Sequence, residues 1–422
     1  MAKYVSLNWY LTTVVALAAN VSLGCSAKVA DLGNNPASDS TDPIYSTDPP
    51  PTTVSAGATD AGTTAFRIVD RESAEFDFQD SSCLGSLCDS PSNGESFTVV
   101  SGRLFWGSTS YPGSITRNSI RSCNVDNCAS SLITHHTADV DIAGCHGSAQ
   151  YIQPDIRSEA ATIYWTNFCS TGYMSSPMDG HSAAASISAP GIMSMGFAVD
   201  GGLLYSATTE ATLLRCAASD CTNSLERFAM TPPVEEGNSG SSSGRVVAQD
   251  YDYLYLVDID ARLIRVKKDL NAPFEVLVHL PKGSPIGQIV LQGDSLYWVE
   301  NVESGKLKSC TKTGCSDAPT TLMAGLHNPS SLAVDDSSLY VLEPPEVTVD
   351  QFADVTPNTG RILKCQITGC SNPEVIYSRT NEMAMGGLLT DDRFLYFSGN
   401  YCKYVDRFTW HGTCGFIAAI PK

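Results

Sequence analysis

Cysteine carries most of the chemistry in this sequence, which has 15 of them. A thiol can act as a nucleophile, a metal ligand, a lipid acceptor or half of a disulfide, and spacing and surroundings decide among these. Five pairs share the spacing C-x4-C: Cys83/Cys88, Cys123/Cys128, Cys216/Cys221, Cys310/Cys315 and Cys365/Cys370. Structural zinc favours tight, coupled knuckles, often completed by histidine. Most of these pairs are widely separated, and no histidine pattern accompanies them. Disulfides are therefore expected. Cys145, Cys169, Cys402 and Cys414 complete an even set of 14 once Cys25 is set aside, with Cys145 paired to Cys169. Facing residues of an antiparallel pair have Cα atoms about 4.5–5.5 Å apart, within disulfide reach. Each C-x4-C unit is accordingly expected to staple a hairpin with a four-residue tip.

The other reactive residues form no recognisable machinery. Gly240-Ser241-Ser242-Ser243-Gly244 matches G-x-S-x-G, but it lies in a polar insertion without the apolar strand a nucleophile elbow needs. Histidines stand at 135, 136, 146, 181, 279, 327 and 411. The adjacent pair His135-His136 follows an expected outer strand, Ser130–Thr134, and reads as part of a solvated loop rather than a metal site. His146 beside Cys145 could form a thiol–imidazole pair, but a disulfide accounts for the same cysteine. Asp200, Asp294, Asp335, Asp336, Asp391 and Asp392 recur at one place in a repeated pattern. Recurrence favours a turn-capping role, in which the carboxylate accepts nearby backbone N–H groups. Calcium is the one cofactor worth weighing. Asp258-Ile259-Asp260 and Asp139-Val140-Asp141 are its best oxygen donors, and neither has the spacing or glycine of a calcium loop. No metal, other cofactor or catalytic residue is expected.

The elements that must position these residues begin with an export signal. Residues 1–25 combine Lys3 with an apolar stretch from Tyr10 to Leu23, too short and too polar for a good membrane-spanning helix. The stretch ends in Val21-Ser22-Leu23-Gly24-Cys25, which resembles a bacterial lipobox, with Ser22 where that pattern prefers Leu. The resemblance implies cleavage before Cys25 and its lipidation, with Ser26 giving no inner-membrane retention. Export to the outer membrane or cell surface follows, with periplasmic or secreted as the alternative. Residues 26–65 are rich in Pro, Ser, Thr, Ala, Asp and Gly and read as a disordered tether.

A repeated unit dominates the remainder of the sequence. Phe105, Tyr164, Tyr205, Tyr255, Tyr297, Tyr340 and Tyr396 each sit in a short apolar run, usually after a turn, separated by 59, 41, 50, 42, 43 and 56 residues. The stretch from Gln288 to Ala324 shows the pattern best: Gln288–Leu291, Ser295–Val299, Gly305–Ser309 and Thr320–Ala324 read as four short strands. Four strands in roughly 42 residues mark a β-propeller blade. An all-β propeller over residues 96–422 is expected, with seven blades and six or eight as alternatives. The last blade is expected to draw its four strands from Gly387–Lys422. Residues 66–95 add an outer strand, cap the ring or form a degenerate eighth blade. Three insertions, Tyr111–Ser122, Cys169–Ser186 and Glu343–Asn358, read as tolerated surface length, with a ligand-facing rim as the functional alternative.

Ile163-Tyr164-Trp165-Thr166-Asn167 and Leu296-Tyr297-Trp298-Val299-Glu300 resemble the YWTD/NHL-like propeller repeat. Ala333-Val334-Asp335 resembles the strand that precedes such a unit. With stapled C-x4-C hairpins, the chain is closest in style to cysteine-rich, lipid-anchored propellers of myxobacteria and their relatives. The resemblance covers about residues 96–422 and departs at the fourth unit, where Val266-Lys267-Lys268-Asp269-Leu270 replaces the cysteine pair. It implies a binding role and transfers no catalytic residue. A propeller enzyme of hydrolase or lyase type, with its site in the central funnel, and a scaffold without a small ligand are the rival readings.

Charge narrows the partner. Lys and Arg number 26 against 45 Asp and Glu, a net charge of −19. Phosphate-backbone binding needs clustered cations, so nucleic acid is excluded. A protein or glycan partner of the envelope or extracellular space is expected, with membrane contact only through the lipid and the protein a monomer.

Overall fold

The computed structural model describes residues 66–70, 97–110, 116–140, 155–166, 172–188, 196–207, 212–229, 245–258, 261–271, 273–281, 286–345, 347–349, 355–357, 360–379, 382–406 and 409–422. Cys25, Cys83, Cys88, Cys145, His146, Cys169 and Gly240–Gly244 lie outside them. None of the described helices is long and apolar enough to cross a membrane.

The chain forms seven four-stranded antiparallel sheets. After β1 (Phe66–Asp70), the first blade comprises β2 (Phe97–Val100), β3 (Arg103–Ser110), β4 (Thr116–Asn124) and β5 (Ile133–Val140). The second comprises β6 (Ile156–Glu159), β7 (Thr162–Thr166), β8 (Gly172–Pro177) and β9 (Ala185–Ser188). The third comprises β10 (Phe197–Asp200), β11 (Leu203–Ala207), β12 (Thr212–Ala217) and β13 (Glu226–Ala229). The fourth comprises β14 (Arg245–Gln249), β15 (Tyr253–Val257), β16 (Arg262–Lys267) and β17 (Glu275–His279). The fifth comprises β18 (Ile286–Gln292), β19 (Ser295–Glu300), β20 (Gly305–Thr311) and β21 (Thr320–Leu326). The sixth holds β22 (Ser331–Val334) and β23 (Ser338–Glu343), then the ribbon β24 (Val347–Val349) and β25 (Val355–Pro357), then β26 (Gly360–Gln366) and β27 (Gly369–Arg379). The seventh has β28 (Glu382–Thr390), β29 (Phe394–Asp406) and β30 (Thr409–Pro421), and β1 completes its outer edge.

The seventh blade corrects the expected strand division. The segment expected as a third strand, Val405–Trp410, is the tip of a long β29–β30 hairpin. The fourth strand comes from the other end of the chain, so the last sheet joins residues 66–70 to residues 416–419. Of the three roles open for residues 66–95, Phe66–Asp70 takes that of an added outer strand.

Seven apolar clusters fill the seven junctions between blades, and this closes the ring. Successive side chains on a strand face opposite sides, and both faces of a blade are covered. The second strands therefore read as unbroken apolar runs. Leu254 and Leu256 face the third blade while Tyr255 faces the fifth. Leu339 and Val341 face the fifth blade while Tyr340 and Leu342 face the seventh. All seven repeated aromatic residues are buried and face the following blade. Burial of one such ring is worth roughly 2–3 kcal/mol.

Among the described residues four disulfides are present: Cys123–Cys128, Cys216–Cys221, Cys310–Cys315 and Cys365–Cys370, with Cα separations of 4.7, 4.8, 5.5 and 5.1 Å. Their setting differs from a uniform cross-strand staple. In the sixth blade Gln366 faces Gly369, so the bond spans a hairpin as expected. Elsewhere the second cysteine lies in the connection after the third strand, and Cys221 begins a single helical turn, Cys221–Ser224, capped by Asp220. The sulfurs also belong to the junction clusters, so each bond packs against the preceding blade. For the remaining expected disulfide, Cys402 pairs in register with Thr413 and Tyr401 with Cys414. The two cysteines thus lie one step apart on neighbouring strands.

Candidate functional site

The antiparallel meander sorts the connections onto two faces. One face carries the turns between first and second strands and the hairpins between third and fourth. The other carries the connections between second and third strands and those from blade to blade.

The first face is tied down. Its turns are short, at 101–102, 160–161, 201–202, 250–252, 293–294, 335–337 and 391–393. Asp250 Oδ1 accepts the N–H groups of Asp252 and Tyr253 at 3.0 and 2.8 Å, and Oδ2 accepts the Tyr255 hydroxyl at 2.9 Å. Asp335 does the same for Ser337, Ser338 and Tyr340, and Asp391 for Arg393, Phe394 and Tyr396. The turn role expected of the recurring aspartates holds at Asp335 and Asp391. The hydroxyl of Tyr340, desolvated by burial and facing Asp335, is pushed up to about 12. Other aspartates bridge blades: Asp200 to Lys268 at 2.8 Å, and Asp336 to the Gln292 amide at 2.7 Å. Lys422 reaches Asp335 at 2.8 Å, and Arg393 reaches Asp126 at 3.1 Å across the closure of the ring.

The second face carries the long connections. The connections from β5 to β6, from β13 to β14 and from β23 to β26 all start and end there, the last by way of the β24–β25 ribbon. Of the insertions weighed as a rim, Glu343–Asn358 is one of these. Within Tyr111–Ser122, residues 116–122 belong to β4. Cys169–Ser186 is corrected: most of it forms β8, the start of β9 and the hairpin between them on the opposite face.

At the strand ends on this face lies a set of ion pairs whose carboxylates are buried. Asp258 Oδ2 accepts Arg262 Nε and Nη2 at 2.7 and 2.6 Å, and its Oδ1 accepts the Arg262 N–H at 2.9 Å. Glu300 pairs with Lys308 at 2.9 Å. Glu343 pairs with Arg361 and accepts the N–H of His327 at 2.7 Å, which pins the adjoining blade-to-blade connection. These three carboxylates stand three residues after the repeated tyrosine in the fourth, fifth and sixth blades. In the second blade Asp155 pairs with Arg157 at 3.1 Å and accepts the Phe197 N–H at 3.2 Å, while Arg157 donates to the Phe197 carbonyl at 3.1 Å.

The inner strands are laced together at the same level. Arg245 donates to the Gly287 carbonyl at 3.2 Å, and Ser331 donates to Gln288 at 2.6 Å and accepts the Leu388 N–H at 2.7 Å. Gly287 permits this approach, because a Cβ there would lie 2.7 Å from the Ser330 carbonyl oxygen.

Chemically, this arrangement holds a surface rather than a reaction. The buried carboxylates are each matched to a cation, which is what makes their burial tolerable. Asp258, considered for calcium, gives both oxygens to Arg262. Among the described residues no group of three or more His, Cys, Asp or Glu side chains could hold a metal ion. The sequence reading missed the ion-pair set. The carboxylate three residues beyond each tyrosine was its available signal, obscured because only three blades carry it.

The histidines scatter. His181 contacts Asp179 at 3.1 Å and His279 contacts Asp317 at 2.8 Å, both exposed. His135 departs from the solvated loop expected for it. It lies within β5 and is buried, with Nε2 2.7 Å from Ser122 Oγ and Nδ1 3.3 Å from Ser176 Oγ.

Seven four-stranded sheets closed in a ring define a seven-bladed β-propeller. No family model matches the sequence. A stretch of 120 residues, 28% of the chain, is 29% identical to the immunoglobulin mu constant region of Canis lupus familiaris, and the match spans 25% of that relative. Among solved structures, the computationally designed Ika8 protein matches over 78% of this chain and 98% of its own, at 10% identity and TM-score 0.40. Neither likeness assigns this chain a ligand or a reaction.

Proposed function

We propose that this protein is an exported, lipid-anchored propeller of the cell envelope that binds a protein or glycan partner through the face bearing its long connections. The segregation of connections carries the reading. One face carries two- or three-residue turns, hairpins of at most eight residues, disulfides and inter-blade ion pairs, while the longest connections start and end on the other, where buried carboxylates are matched to cations. Binding loops on a rigid scaffold follow this logic. The four disulfides fit an oxidising compartment, and the Leu23-Gly24-Cys25 sequence supports lipid attachment at Cys25. An acidic surface favours a cationic partner.

The test is a thermal-shift titration of the full oxidised chain with envelope glycans and cationic peptides. It is repeated on a variant whose residues 344–359 are replaced by a short glycine-containing turn. A ligand that binds only the folded state raises the melting temperature with dose. The expected result is a dose-dependent rise that the loop variant loses. A rise of equal size in both proteins would move the site off this face, and no rise with any ligand would favour a scaffold. For the anchor, incorporation of labelled fatty acid is expected in the wild type and absent in Cys25→Ser.

A further inference from the structure

The third strand of each blade places one side chain against the preceding blade at a fixed register, opposite the residue before the repeated aromatic. Cys123, Cys216, Cys310 and Cys365 occupy it in four blades, Val266 and Ile420 in two. In the second blade it is Ser176, facing Ile163. Six junctions are thus filled at this point by a disulfide or an aliphatic group, and the one between the first and second blades by a hydroxyl.

That hydroxyl meets His135. The register of β4 and β5 shifts between Ile120 and Arg121, which makes His135 the extra residue of a bulge. A bulge re-aims its side chains, and both histidines turn toward the second blade. The His136 ring lies 5.9 Å from that of Trp165. Arg103 Nε donates to Ser122 Oγ at 2.9 Å, and with the imidazole proton on Nδ1 the Ser122 hydroxyl donates to His135 Nε2 at 2.7 Å. Nδ1 faces Ser176 Oγ at 3.3 Å, which donates to the Pro177 carbonyl at 3.2 Å. In this arrangement Nε2 of the neutral imidazole is the acceptor for the Ser122 hydroxyl.

We infer that the junction between the first and second blades is an acid-operated joint of the ring, closed by neutral His135 and loosened when it is protonated. A proton on Nε2 takes the acceptor that the Ser122 hydroxyl uses, in a buried site where an unpaired hydroxyl is costly. It also sets a cation beside Arg103. Asp179, on the hairpin after β8, attracts the charge, but it is already matched to exposed His181. His136, the other titratable group on the junction, is also shifted toward neutrality by burial. Burial and Arg103 outweigh the Pro177 carbonyl and Asp179, which favour the charged ring, and lower the His135 pKa from 6.5 to about 4. Sign follows directly: the opened state binds the proton more tightly, so closure is complete above the ordinary histidine value and weakens as pH falls from 6.5 toward 4.

The test is hydrogen exchange of the full oxidised chain at pH 7 and pH 4.5, corrected for intrinsic exchange. Closure is expected to weaken about 60-fold between pH 7 and pH 4.5. Protection of β5 and β8 should therefore fall by about that factor relative to β20 and β26, whose junction holds a disulfide. In His135→Gln, which hydrogen-bonds but does not titrate, the difference between junctions is expected to vanish. Equal loss of protection at both junctions would overturn the inference, as would the same pH response in wild type and variant. Should the variant fail to fold, an NMR titration of the wild-type imidazole decides: a value near 4 supports the joint and one above 6 overturns it.

Discussion

Replacing Asp258 tests whether the ion pairs with buried carboxylates hold that face together. The carboxylate is buried, at 3% exposure, and its partner Arg262 is 13% exposed. Asp258→Ala removes three acceptor contacts: two to the guanidinium and one to the Arg262 N–H. It leaves the guanidinium without its carboxylate in a site largely closed to water. Breaking one side of a buried pair costs about 3–5 kcal/mol. Removing both sides costs much less, because no uncompensated charge is left. Asp258→Ala/Arg262→Met is therefore expected to be more stable than Asp258→Ala, with a coupling of about 2 kcal/mol or more. The assay is urea unfolding of the oxidised protein followed by tryptophan fluorescence, with the three variants and wild type forming a double-mutant cycle. A cost below about 1 kcal/mol for Asp258→Ala, or single costs that simply add, would refute the claim that this pair anchors the 258–262 connection.

Three further outcomes follow from the same structure. Converting Cys216 and Cys221 to serine is expected to cost about 2 kcal/mol, the chain-entropy value for so short a loop, measured by urea midpoint. Asp391→Asn is expected to cost about 1–2 kcal/mol and to flatten the acid limb of stability. Burial works against the Asp391 carboxylate, but the Tyr396 hydroxyl and two backbone N–H groups prevail and hold its pKa below the ordinary range. Its contribution is thus present above the unfolded carboxylate value and lost as pH falls through the folded one. Gly287→Ala, whose Cβ would press on the Ser330 backbone, is expected to cost about 1–3 kcal/mol. Gly293→Ala, with open space around it and φ of +58°, should cost only about 1 kcal/mol; calorimetry that reverses this order would refute the close-packing account.

Much of the architecture was legible because it repeats. A tyrosine or phenylalanine recurring in a short apolar run, with a turn aspartate before it in several units, reports a blade local enough to read in about 42 residues. The C-x4-C pairs were readable for the same reason: residues five apart need no knowledge of the fold to meet. Asp335 and Asp391 cap turns as their spacing predicts, since the groups they accept lie two, three and five residues onward.

What the sequence left open was set by residues distant along the chain. Phe66–Asp70 carries no sign that it pairs with Phe416–Ala419, because a five-residue strand fits several edges and ring closure selects this one. His135 reads as a loop residue because its burial comes from Ser176 and Phe105, brought to it by a bulge and a neighbouring blade. The face on which the long connections start and end exists only once the meander folds: the ends of β5, β13 and β23 are far apart in sequence and share a side because every blade runs in the same order. Repetition and short-range bonding determined the blade, its turns and its staples. The ring alone decided which blades touch, which carboxylates are buried against which cations, and where a histidine loses its water.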